Sequence, residues 1–153
     1  VLITLAHFLH HRLHPRIIEI GLHPDGSLRD RHLWNLQPLA PRLYALRMDA
    51  ELDFAAASPL ERNIHDHLSA HPGVKHLMIF ALPINRIDAT GVEMFSKLEA
   101  LCRERGITLH ISGLKLPIER VLRQAGCLQP GDHLKMYRTD AEALNHCAQV
   151  LKP

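Results

Sequence analysis

Several things are scarce in this sequence. Aromatic residues make up 5% of the 153 positions, the three cysteines Cys102, Cys127 and Cys147 are widely spaced with no CxxC pair, and neither sign of charge dominates. An odd, scattered cysteine set with no signal peptide predicts reduced thiols of the buried type in a reducing compartment. The formal charge is +2, with 18 basic residues placed singly along the chain against 16 acidic ones. That balance argues against nucleic acid as a partner. No apolar run reaches the length of about 18 residues that a membrane-crossing helix needs, although the chain opens on VLITLAHFL. GxxxxGK[ST], a GxGxxG following a strand, and HExxH are all missing. With them go the commonest signatures of nucleotide and zinc chemistry, so neither catalysis nor a bound cofactor is expected.

What is present is a globular composition: 46% apolar and 22% charged residues, with a mean hydropathy of -0.07. A chain of this length buries roughly 68 to 70% of its unfolded surface, enough for one core without covalent staples. An opening on Val1 without an initiator methionine predicts a piece of a longer protein. Residues 1–14 place apolar and histidine positions at helical spacing, and Pro15 ends that helix. From Arg16 to Pro41 the signals are weak. IIEIGL has strand character, HPDGS is turn chemistry and LWNLQPLAP has little period, so an irregular connector is expected there.

Regular structure follows. Leu43–Met48 and Glu51–Ala55 read as two strands of a hairpin. Ser58-Pro59-Leu60-Glu61 reads as a capping box opening a helix with Leu60, Ile64 and Leu68 on one face. VKHLMIFAL, Val74 to Leu82, is the near-continuous apolar run of a strand covered on both faces. A second capping box, Thr90 to Glu93, opens a helix with the stripe Val92, Phe95, Leu98, Leu101, Cys102, closed by Gly106. A strand at Ile107–Ser112, a helix with Pro117 near its start, a short strand at Leu134–Tyr137 and a helix capped at Thr139 complete the order ββαβαβαβα. Such alternation predicts an α/β fold, with a mostly parallel sheet of about four or five strands and helices packed on it.

Two clusters could carry chemistry. The segment from Pro83 to Gly91 comes off the central strand and delivers Asp88, Ala89, Thr90 and Gly91 to a helix N-terminus, where free N–H groups and the helix dipole favour an anion. Asp88 and Thr90 are equally what helix capping requires. In AHFLHHRLHP, His7, His10, His11 and His14 share one helical face, and an i, i+4 pair such as His7 and His11 can ligate a metal incidentally. By the same spacing His65, His67 and His71 fall on an exposed helix side. Trp34 and Tyr44 could stack a base, but packing is the commoner role for two aromatics.

Ile-Asp-Ala-Thr-Gly-Val after VKHLMIFAL, followed by GITLHISGLKLPIERVLRQAG, resembles the STAS domain found in SulP sulfate permeases and in bacterial anti-sigma factor antagonists. IIEIGLHPDGSLRD and LAPRLYALRMDAELDFAAA resemble the connector and first strands after the last membrane helix of the transporter branch. The resemblance implies a post-membrane helix and connector at 1–41 and a STAS domain at 42–153. It also implies a regulatory role at the cytoplasmic face of the inner membrane, with the membrane domain of its own transporter as partner and a cytosolic protein as a second candidate. At most weak nucleotide or anion binding is expected near Asp88, Thr90 and Gly91. In the antagonists the corresponding loop typically reads Asp-Ser-Ser-Gly and its second hydroxyl accepts phosphate. Thr90 takes that place here, and Ala89 departs from the pattern. The alternative reading is therefore a free-standing antagonist switched by phosphorylation of Thr90.

Overall fold

The computed structural model describes residues 1–129 and 131–151. The elements are α1 (Leu2–Leu13), β1 (Ile17–Leu22), β2 (Leu28–Asp30), β3 (Leu43–Met48), α2 (Phe54–Ala70), β4 (His76–Phe80), α3 (Ala89–Arg105), β5 (Thr108–Ser112), α4 (Leu116–Gln124), β6 (Leu134–Tyr137) and α5 (Asp140–His146), with a π-helical turn at Cys147–Leu151. Six strands form one sheet in the order β2-β1-β3-β4-β5-β6. β3 to β6 run parallel, while β1 is antiparallel to both β2 and β3. The expected α/β fold is present, with six strands where about four or five were expected, because β1 and β2 are added and the expected Glu51–Ala55 strand is absent.

The period of two in each strand sorts side chains to opposite faces. Leu46, Leu77, Ile79, Leu109 and Ile111 point to one face, where they meet Leu60 and Ile64 of α2, Phe95 and Leu98 of α3, and Ile118 and Leu122 of α4. Leu43, Ala45, Met78 and Phe80 point to the other, against Ile18, Ile20, Leu39 and the Ala143–Cys147 side of α5. That second face holds a polar chain. Fully buried His110 has Nδ1 2.9 Å from the Tyr137 hydroxyl and Nε2 3.1 Å from Nδ1 of His76. Burial, then the nearby His76, His146 and Lys135, push its pKa down to about 3.

Four expectations are corrected. Residues 16–41 are not irregular throughout, because β1 and β2 form a hairpin within them and β1 extends the sheet. The Glu51–Ala55 strand does not form: α2 already begins at Phe54, and only Leu52 makes an isolated bridge to Ile87. Ser58 and Thr90 are not helix caps, since the caps are Asp53 and Asp88, and Pro59 lies inside α2. His67 is only partly exposed. Its ring stacks on Tyr44 at 3.5 Å and on His71 at 4.2 Å.

Candidate functional site

The starts of α2 and α3 lie side by side at the C-terminal end of the parallel strands. The peptide N–H of Leu52 donates to the Arg86 carbonyl at 3.0 Å, and that of Asp88 donates to the Leu52 carbonyl at 3.3 Å. Each helix is then capped by an extended aspartate. Oδ1 of Asp53 accepts from the amides of Ala55 and Ala56 at 3.0 and 3.2 Å, while Oδ2 takes the guanidinium of Arg12 from α1. Oδ1 of Asp88 accepts from the Gly91 amide at 2.8 Å, and its Oδ2 reaches across to the Phe54 amide, the first of α2, at 2.9 Å. One carboxylate thus serves two helices. Asp53, Arg12 and Phe54 belong to this arrangement, and no local motif pointed to them.

The four candidate residues divide by role. Asp88 is half-buried and committed to capping. Gly91 is buried where the Leu52 backbone crosses: a Cβ there would lie far inside contact with the Leu52 carbonyl oxygen and 2.9 Å from Cγ1 of Ile87. A glycine is required by that close approach. Ala89 and Thr90 face outward in the first turn of α3. Their amides have no acceptor among the described residues, so two N–H groups at the positive end of the helix remain open to solvent or to a ligand. Thr90 supplies the exposed hydroxyl of the loop.

Other candidates separate into small groups. Among the histidines of α1, His7 faces His11 with their Nε2 atoms 3.1 Å apart, and His10 stacks on His14. No group of three or more histidine, cysteine, aspartate or glutamate side chains suited to a metal ion occurs among the described residues. Trp34 packs under Arg29 and against His23, whereas Tyr44 stacks on His67 and donates its hydroxyl to Asn63. All three cysteines are buried and none is in a disulfide, and burial pushes the Cys102 thiol up to about 12.

A model of the STAS domain matches residues 38–143, including β3 to β6 and both aspartate caps. The chain belongs to the STAS domain family. No curated protein matches it in sequence. Among solved structures it is similar to the murine Solute Carrier 26 family member A9 anion transporter in the inward-facing state, at a TM-score of 0.76 and 12% identity over 97% of this chain and 24% of that one. It is also similar to a sulfate transporter family protein from Wolinella succinogenes, at 0.63 and 17% over 78% and 96%. A third likeness is to the anti-sigma factor antagonist SpoIIAA in its unphosphorylated form, at 0.57 and 15% over 72% and 91%. This STAS domain therefore spans about a quarter of the murine transporter. No helix among its described residues is long and apolar enough to cross a membrane.

Proposed function

We propose that this STAS domain is the non-catalytic regulatory and interaction domain of a SulP-type anion transporter, carried at the cytoplasmic face of the inner membrane after the last membrane helix, with residues 1–41 as the joining helix and connector. The observation that carries the reading is coverage. The likeness to the murine transporter takes in 97% of this chain, so it includes α1 and the β1–β2 hairpin, whereas the likeness to SpoIIAA takes in 72%. An α1 with no buried residue and an apolar, histidine-bearing surface suits a segment lying against a membrane domain.

The docking site is the outward side of the Asp88–Gly91 loop. Ala89 and Thr90 are exposed on a base fixed by two helix caps and a backbone crossing, and a docking surface needs both exposure and rigid mounting. The contact is with the transporter's own membrane domain or with a cytosolic protein, and any nucleotide or anion is held weakly by the open amides. A second reading, a free-standing antagonist phosphorylated on Thr90, draws support from the exposed hydroxyl and from the likeness to SpoIIAA. The full reading frame separates the two: several hydrophobic spans upstream of Val1 favour the transporter, and a start near Arg42 favours the antagonist. Anion uptake by the full-length protein carrying Thr90→Glu or Thr90→Ala then tests the site. Thr90→Glu is expected to change uptake with the fold intact, because a new negative charge beside Asp88 alters docking. Wild-type uptake by both variants, at equal membrane levels, would remove the loop from the contact surface.

A further inference from the structure

Away from the Asp88 loop, near the C-terminus of α2 and the start of β3, lies a cavity of about 620 Å³. That volume falls in the range of small-molecule sites. Its charged and titratable lining is Arg31, Arg42, His32, His67, His71 and a single carboxylate, Glu19. The carboxylate is already engaged, with Oε2 3.1 Å from Nη1 of Arg31 and 2.6 Å from Nε2 of His32. Arg42 has no carboxylate partner among the described residues. Two guanidinium groups therefore face one carboxylate, an excess larger than the half charge at the helix end. The His67 carbonyl at that end is occupied by the backbone and Nδ1 nitrogens of His71.

Arg42 is also held in the left-handed backbone region, at φ 58°. Its carbonyl accepts from the amides of Lys75 and His76 at 2.8 and 3.1 Å, which pins that conformation where β3 and β4 begin to pair. Glycine would adopt it without strain and make the same carbonyl bonds. The backbone conformation therefore does not require an arginine, and the exposed Arg42 side chain at the cavity is left available to a ligand. The rest of the lining is apolar, including Pro41, Leu43 and Val74. One end carries the flat column of Tyr44, His67 and His71, with rings 7° and 19° from parallel and His71 outermost and exposed. His67 sits below the ordinary imidazole value through burial, then through His71, with Arg31 and His32 adding to the effect and Glu19 opposing it.

We propose that this cavity binds a small organic anion with a flat apolar body, its charge received by Arg42 and Arg31 and its body laid on the outer face of His71. The class follows from the lining: a cationic rim beside an apolar wall with a stacking face selects a molecule that has both parts. This site is separate from the Thr90 loop and does not depend on the transporter reading.

The test is a titration of the 153-residue chain with phenyl phosphate, inorganic phosphate and phenol, followed by NMR of the histidine rings. Phenyl phosphate is expected to give saturable shifts at His67 and His71 and to raise the pKa of His67, with each single-function probe binding about tenfold more weakly or worse. Arg42→Gly should fold at least as well as the parent and weaken phenyl phosphate by about tenfold or more, while Arg42→Lys retains part of the affinity. Three outcomes would overturn the proposal: no saturable shift at His67 and His71 up to about 10 mM, equal affinity in Arg42→Gly, or inorganic phosphate binding as tightly as phenyl phosphate.

Discussion

The starts of α2 and α3 meet the same requirement by different means. Both use an aspartate in extended conformation. Asp53 is buried and turns both oxygens to its own side of the molecule, one to its helix and one to Arg12 of α1. Asp88 is half-buried and spends one oxygen on the neighbouring helix. The difference assigns separate mechanical duties. The α2 start is anchored toward α1, and the α3 start is anchored to α2, so the Thr90 turn cannot shift without disturbing Phe54.

Four substitutions test that contrast. Gly91→Ala should have the largest effect, a loss of about 3 kcal/mol or more by denaturant unfolding, because the clash is with backbone that must move and the gain in helix propensity is only about 1 kcal/mol. A cost under about 1 kcal/mol would mean that the two helix starts are not in rigid contact. Asp53→Ala should cost roughly 2 to 3 kcal/mol, since the Ala55 and Ala56 amides lose their acceptor in a buried setting. For Asp88→Ala roughly 1 to 2 kcal/mol is expected, because water can reach the exposed Phe54 amide. The sharper readout is hydrogen exchange. Asp88→Ala should speed exchange at Phe54, on the other helix, and unchanged exchange there would show that the cross-link carries no load. Thr90→Ala should cost less than about 0.5 kcal/mol, as for an exposed residue that is not a cap; a loss above about 1 kcal/mol would restore it to a capping role.

The fold was legible where the signal is local and periodic. Leu60, Ile64 and Leu68 are buried on α2, Phe95, Leu98 and Cys102 on α3, and the left-handed Gly106 closes α3 as its position suggests. Two helix starts were misread, α3 by less than a turn and α2 by more than one, while Thr139 caps α5 as its sequence suggests. Ser58-Pro59 carries the stronger local signature, but Asp53 followed by Phe54 and three alanines buries Ala55, Ala56 and Ala57 against the core, and packing outweighs the motif. β1 was obscured because its partner β3 lies beyond a turn-rich stretch, so its pairing is not a feature of its own residues. The site was half legible. Thr90 and Asp88 stand out in the sequence, yet the need for glycine at 91 comes from Leu52, whose carbonyl no spacing rule connects to it. The Arg42 cavity was invisible for the same reason, since β1, β3 and the end of α2 assemble it from separate parts of the chain.

The Tyr137–His110–His76 chain, buried at His110, has a consequence for acid conditions. A histidine that titrates near 6.5 when unfolded and is pushed down to about 3 when folded binds its proton more readily in the unfolded chain. Between those two values unfolding takes up protons, so stability rises with pH across that window and levels off above about 6.5. His67 and His76, also lowered by burial, act in the same direction. Denaturant midpoints measured from about pH 7 down to about pH 5 should fall steadily, and the fall should shrink in His110→Phe. Protons are then a denaturant for this domain at acidities too mild to titrate an ordinary carboxylate.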